Sequence, residues 1–330
     1  MTPWPRALEG LAVSSLDEGA SGPLAFPVMS GATTLVRALG HVANERMPQA
    51  ARAFLTTGAK RFRRAAYGAK IQTEPEPVEA RLQPGARPWG GKRAAALLTH
   101  DIDTPRCLRE LDAALLAEES RGFRSIVLPL TGVDYKVDAA WAEGLRRRGH
   151  EIGLHGLTHD YALGGRSMAA IERHLDDALA ALPNVKPRFY RAPAFCITEN
   201  LGRALIKRGF RFDLSRTQGH PRYPSTRTRL PFFPPGFEAD LLELPLSLED
   251  SWLFRDWRLS VPDSLVFAGR VLDRAVEEGG LVVIDTHPSI LADHPGFHEG
   301  FLDLVIARSG DVWCPSPFDL ATLLEPACAA

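Results

Sequence analysis

The stretch AAALLTHDID, residues 94–103, decides the fold. Ala94–Thr99 is an apolar run of strand length bounded by polar residues, which predicts a buried strand. It ends in Thr99-His100-Asp101-Ile102-Asp103. Two carboxylates two residues apart at a strand end can point into one site. One can ligate a metal ion while its neighbour stays free as a base. The same D-x-D spacing fits a phosphohydrolase with an aspartyl nucleophile, or a glycosyltransferase holding a metal–nucleotide sugar. It also fits Asp103 as a helix N-cap ahead of Thr104-Pro105.

Outward from this stretch, short apolar runs alternate with helical segments. Strands are predicted at 125–130, 151–154, 188–191, 211–214, 241–246 and 281–285. Helices are predicted at 107–121, 139–148, 167–182, 199–208, 264–278, 301–308 and 318–324. Continuous apolar strands separated by helices mean a parallel sheet covered on its outside. Some seven strands in ~240 residues suit a distorted (β/α) barrel better than a small open sheet. The expected fold class is therefore α/β, with the barrel over residues 92–330.

Residues 1–91 differ. The stretches 33–44 and 49–66 read as helices, with Pro48 between them, and 73–91 is rich in Pro and Gly. We read an N-terminal helical extension followed by a linker. The cluster Lys60, Arg61, Arg63 and Arg64 around Phe62 suits a solvated helix face, with contact to an anionic membrane as the alternative. Residues 217–239 carry no periodic pattern, and loops of that length are often functional.

Of the 330 residues, 45% are hydrophobic and 24% charged, and the formal net charge is −1. That composition excludes a fibrous or wholly disordered chain. The near-neutral balance argues against a nucleic-acid partner, which needs a basic footprint. Four scattered cysteines without a CxxC pair predict reduced thiols. The start of the chain lacks a signal-peptide pattern, and no stretch approaches the ~20 apolar residues of a membrane span. The expected location is the cytoplasm.

In a parallel barrel the chemistry sits at the carboxyl ends of the strands. After the third run come His155 and His159. On a helical turn their i, i+4 spacing would put both imidazoles on one face, and two His with one carboxylate form an open metal site. After the fourth run comes Arg191-Ala192-Pro193-Ala194. An Arg there can hold a carboxylate by bidentate hydrogen bonds. Asp213 and Ser215 follow the fifth run. His287 follows the last long run and suits a general acid, since its reference pKa lies near 6.5.

Taken together and in this order, these residues resemble the five motifs of the polysaccharide deacetylases, the NodB-homology domain of carbohydrate esterase family four. HDID resembles a first-motif variant. Gly149-His150-Glu151-Ile152-Gly153-Leu154-His155 through His159 resembles the second motif, and Arg191-Ala192-Pro193 the third. Asp213 and Ser215 can be placed on the fourth motif, without its usual Trp. Ile284 to His287 resembles the fifth. The resemblance covers roughly residues 93–325.

It implies one divalent ion held by Asp103, His155 and His159, zinc first, with cobalt, nickel or iron(II) as alternatives. Asp101 would be the base, Arg191 its partner and His287 the acid. Asp213 would orient His287. A backbone N–H just after Pro193, at Ala194, would serve the oxyanion. The implied reaction is hydrolysis of an N-acetyl amide on a sugar or oligosaccharide. Alternatives are a small amide, formamide or cyclic imide on the same fold, a haloacid-dehalogenase-type phosphohydrolase, or a glycan-binding barrel without turnover. His100 is expected behind the site, or in place of the family's usual Phe. Trp252, Phe254, Trp257 and Cys196 are expected in the core, Phe232 to Pro235 in a loop packed over the barrel, and His294 and His298 at the surface.

Overall fold

A computed structural model describes residues 12–15, 79–82, 85–217, 230–234, 237 and 240–325. The helices read at 33–44 and 49–66, and most of the 217–239 stretch, lie outside the described residues. Within the N-terminal part, β1 (Ala12–Ser15) pairs antiparallel with β2 (Glu79–Leu82). The stretch read as a linker thus contains a strand. Its last residues belong to the barrel: Trp89 is buried in the barrel core, and its Nε1 donates to Gly279 O at 2.9 Å.

The barrel strands are β3 (Ala94–Ile102), β4 (Ser125–Pro129), β5 (Glu151–Ile152), β6 (Phe189–Tyr190), β7 (Phe212–Asp213), β8 (Leu242–Glu243), β9 (Leu246–Glu249) and β10 (Leu281–Thr286). Parallel ladders run β5-β4-β3-β10-β9 and β6-β7-β8. Single parallel bridges, Leu154 with Tyr190 and Thr217 with Leu246, join the two arcs. β8 and β9 belong to one segment broken at Leu244-Pro245. Counted as one stave they make seven, with a ladder that is interrupted rather than continuous, as a distorted barrel requires.

The alternation of β3 sets both faces of the wall. Leu97 packs inward with Ile126, Leu128, Phe189, Phe212, Leu246 and Val283. Leu98 packs outward with Val282 and Ile284 against α5 (Val261–Glu278), α6 (Pro288–Asp293) and α7 (Phe297–Ala307). The other covering helices are α1 (Pro105–Glu119), α2 (Ala139–Arg147), α3 (Met168–Ala180) and α4 (Glu199–Ile206). β11 (Val312–Trp313) pairs with the start of β3, and α8 (Pro317–Leu324) sends Leu320 and Leu324 into the core beside Trp89. Neither α6 nor β11 carries a periodic apolar pattern long enough to predict it. α6 starts at Pro288, where the fixed proline φ suits the first helical position.

Candidate metal-binding active site

Asp101 is the next-to-last residue of β3, and Asp103 lies one residue past its end. The helix that follows is capped by Thr104, whose Oγ1 accepts from Cys107 N at 3.2 Å. Asp103 is therefore free of capping and faces the barrel mouth. Its Oδ1 lies 3.3 Å from His155 Nε2, and its Oδ2 lies 3.6 Å from His159 Nε2.

The two histidines do not sit on a helical turn, as their spacing predicted. They converge from an irregular loop after β5. Gly156 between them has φ +129°, a conformation that side-chain-bearing residues rarely adopt. Their ring centroids are 5.1 Å apart, and Tyr161 packs edge-on to His159 at 4.6 Å. Gly153, at the start of the loop, lets Phe189 O come so close that a Cβ would sit 3.0 Å from it.

The polar atoms of this cluster are set up for a cation. His155 Nδ1 lies 2.8 Å from Arg191 O, a carbonyl that can only accept. The proton of a neutral ring is thereby fixed on Nδ1, and Nε2 presents a lone pair. That lone pair faces Asp103 Oδ1, and both atoms are buried without a hydrogen bond. Two acceptors facing each other across 3.3 Å need a positive charge between them. Asp103, His155 and His159 offer ligand atoms within 4.8 Å of one another, a set suited to zinc with positions left open. Burial lowers the His155 pKa, yet Asp101 and Asp103 together raise it above the ordinary value, so the pit attracts positive charge.

Arg191, fully buried after β6, does more than pair with Asp101. Its Nη1 donates to Asp101 Oδ1 at 2.9 Å and to Asp285 Oδ1 at 2.7 Å. Its Nη2 reaches Thr99 Oγ1 at 2.9 Å, and its Nε reaches Leu214 O at 3.1 Å. Burial raises the Asp101 pKa, but Arg191, with His155 and His287, outweighs it and keeps the carboxyl below its ordinary value. Asp101 Oδ2 is left facing the ligand cluster, 3.7 Å from His155 Nε2. Behind it, burial lifts Asp285 well above the usual carboxylate range.

His287, just past β10, approaches Asp103, with Nε2 3.5 Å from Asp103 Oδ2. Its Nδ1 lies 2.7 Å from Asp250 Oδ1, and its backbone N donates to Asp250 Oδ2 at 2.6 Å. Burial lowers the His287 pKa, but Asp250 above all lifts it well beyond 6.5.

The expectation that Asp213 orients His287 is thereby corrected: Asp250, next after β9, holds that place. Trp252 follows two residues on and packs edge-on to Phe195 of the loop after β6 at 5.9 Å. Glu249-Asp250-Ser251-Trp252 thus occupies the place beside His287 that was expected of Asp213 and Ser215. The signal was an Asp directly after an apolar segment, broken by Pro245. Asp213 has different work. It accepts from Ser215, whose Oγ accepts from Ala192 N at 2.8 Å, and it shares a buried carboxyl pair with Glu243. The chain props the turn Pro193–Phe195, in which Ala194 (φ 51°) and Phe195 (φ 61°) both adopt left-handed backbone.

His100 points out of the barrel and lines no part of the mouth. Trp252, Phe254 and Phe233 are buried, as expected of core and loop-packing residues. Cys196 is half-buried. His298 is buried rather than exposed, and His294 stacks on Phe254 at 3.9 Å.

No protein-family model matches this sequence, and no curated protein sequence does. Solved structures do. The chain has the NodB-homology fold, that of the polysaccharide deacetylases. A Mycobacterium smegmatis protein provisionally described as a polysaccharide deacetylase is 20% identical, with TM-score 0.53 over 71% of this chain and 91% of its own. A Pseudomonas aeruginosa PAO1 protein similarly described is 16% identical, with TM-score 0.53 over 73% and 94%. Puue allantoinase is 15% identical, with TM-score 0.55 over 73% and 93%.

Proposed function

We propose that this chain is a metal-dependent hydrolase of carbon–nitrogen bonds other than peptide bonds, removing the N-acetyl group of a sugar or glycan. The observation that carries this reading is the convergence of a carboxylate and an imidazole on the Asp103–His155–His159 cluster. Asp101 Oδ2 lies 3.7 Å from His155 Nε2 and His287 Nε2 lies 3.5 Å from Asp103 Oδ2, each backed by its own buried partner.

Asp103, His155 and His159 would hold the ion, zinc being the best match to their donors. When bound, the ion supplies Lewis-acid polarisation of the acyl carbonyl and lowers the pKa of water. Asp101, kept ionised by Arg191, takes a proton from the attacking water at Oδ2. Its other oxygen is committed to Arg191, so only one oxygen is available for proton transfer. His287 enters the reaction protonated, because Asp250 raises its pKa, and gives the Nε2 proton to the departing amine. Acetic acid and the free amine leave, the acid ionising in solvent, and the proton gained by Asp101 balances the one that His287 gave up and takes back through solvent. The propped turn Pro193–Phe195 borders the mouth, and the Ala194 N–H is the backbone donor we assign to the oxyanion.

The fold is shared with an allantoinase, so a small amide or cyclic ureide is the alternative substrate. The test is release of primary amine from a panel of N-acetyl sugars, oligosaccharides and formamides, and ring-opening of cyclic ureides to their ureido acids, with zinc- or cobalt-loaded protein and Asp101→Asn as control. Turnover of N-acetyl sugars, lost in Asp101→Asn, supports the proposal. Turnover confined to ureides or small amides moves the substrate. No turnover of any amide by fully metal-loaded protein would sink it.

A further inference from the structure

Behind the catalytic strand lies a second convergence of metal-ligating side chains. The alternation that sends Asp101 into the barrel sends His100 out, into the space between β3, α1 and α7. Glu118 from the last turn of α1 and His298 from the first turn of α7 meet it there. His100 and Glu118 are 0% exposed and His298 is 5% exposed. His100 Nε2 is 2.8 Å and His298 Nε2 is 3.1 Å from the same oxygen, Glu118 Oε1. The imidazole centroids are 5.6 Å apart at 62°, close to the 5.1 Å and 50° of His155 and His159.

We propose that His100, Glu118 and His298 form a second divalent-cation site, buried on the outside of the barrel wall. Two imidazole nitrogens and one carboxylate oxygen are a zinc-type donor set, and the three atoms lie within 4.8 Å of one another. The outer partners are those of ligating groups. His100 Nδ1 lies 2.7 Å from Thr286 Oγ1, a hydroxyl that also reaches Thr99 O at 3.3 Å. When that hydroxyl donates to the carbonyl it accepts from Nδ1, and Nε2 is left with a lone pair aimed at the carboxylate. Glu118 Oε2 is fixed by Ser125 Oγ at 2.7 Å. Among the described residues, no Arg or Lys pairs with Glu118, so the positive charge this buried carboxylate needs must come from a proton on a histidine or from an ion.

The test counts metal on the full chain, stripped with chelator and reloaded with zinc or cobalt. The wild type is expected to take about two ions per chain, and Asp103→Ala/His155→Ala, which dismantles the barrel site, about one. Adding His298→Gln is expected to remove that remaining ion, with folding verified by circular dichroism. A double variant that binds no ion overturns the proposal and leaves Glu118 neutralised by protons. A remaining ion that survives His298→Gln also overturns it. Because the double variant lacks the barrel site, these outcomes do not depend on the catalytic reading above.

Discussion

The carboxylate of Asp250 grips His287 twice, at Nδ1 (2.7 Å) and at the backbone N (2.6 Å). The first contact fixes the tautomer and the second fixes the strand end that carries the ring. Asp250→Asn is expected to lower kcat about 10- to 100-fold without loss of metal. It should also move the alkaline limb of the kcat profile to lower pH, since Asp250 is what raises His287. Asp213→Asn should leave that limb in place. A limb that moves with Asp213 and not with Asp250 would reverse the assignment.

Arg191 is shared between two buried carboxylates, and Lys cannot reproduce its fork to Asp101, Asp285, Thr99 and Leu214 O. Arg191→Met leaves the buried Asp101 carboxylate without its cation and Asp285 without its donor, and is expected to cost about 3–5 kcal/mol of stability. Urea unfolding measures it. A loss under about 1 kcal/mol would mean that the two carboxyls share protons rather than lean on the guanidinium.

Glu249 gives a pH signature. Burial above all, with Asp250 adding and His287 opposing, pushes its pKa to about 7 from an ordinary 4.5. Between those values the folded chain binds the proton more tightly than the unfolded chain. Stability contributed by this group therefore falls as pH rises from about 4.5 to about 7 and is level above that, a loss on the order of 3 kcal/mol. Glu249→Gln removes the penalty. Its melting temperature should exceed the wild type's at pH 8, with the gap closing at pH 5. An equal gap at both values would refute the shift.

Trp89 tests where the barrel begins. It is fully buried among strand residues and hydrogen-bonded to Gly279 O. Trp89→Ala is expected to cost about 3–5 kcal/mol while leaving metal stoichiometry unchanged. A near-neutral result would return residues 85–91 to the linker.

Much of the site was legible because β/α periodicity marks strand ends, and strand ends carry the chemistry. Asp101, Asp103, His155, His159, Arg191 and His287 were found in this way, and the structure brings all six together. Periodicity does not say which strand ends face each other. Asp213 and Asp250 both follow apolar runs, and only the ring order, with β9 beside β10, puts Asp250 against His287. Pro245 hid the second run by splitting it. His298 reads as polar surface in HPGFHEG because its partner, Glu118, lies 180 residues away in sequence. The helical turn expected for the His155–His159 pair failed at Gly156, whose backbone reverses where a helix would continue.

The nine residues of β3 carry one ionisable group to each side of the wall: Asp101 inward, His100 outward. A slip of one position would present His100 to the barrel mouth and Asp101 to the helices. The phase of this strand is a single binary setting shared by both clusters. An insertion or deletion of one residue between positions 94 and 101 would therefore erase them together, whereas point substitutions can remove either one alone.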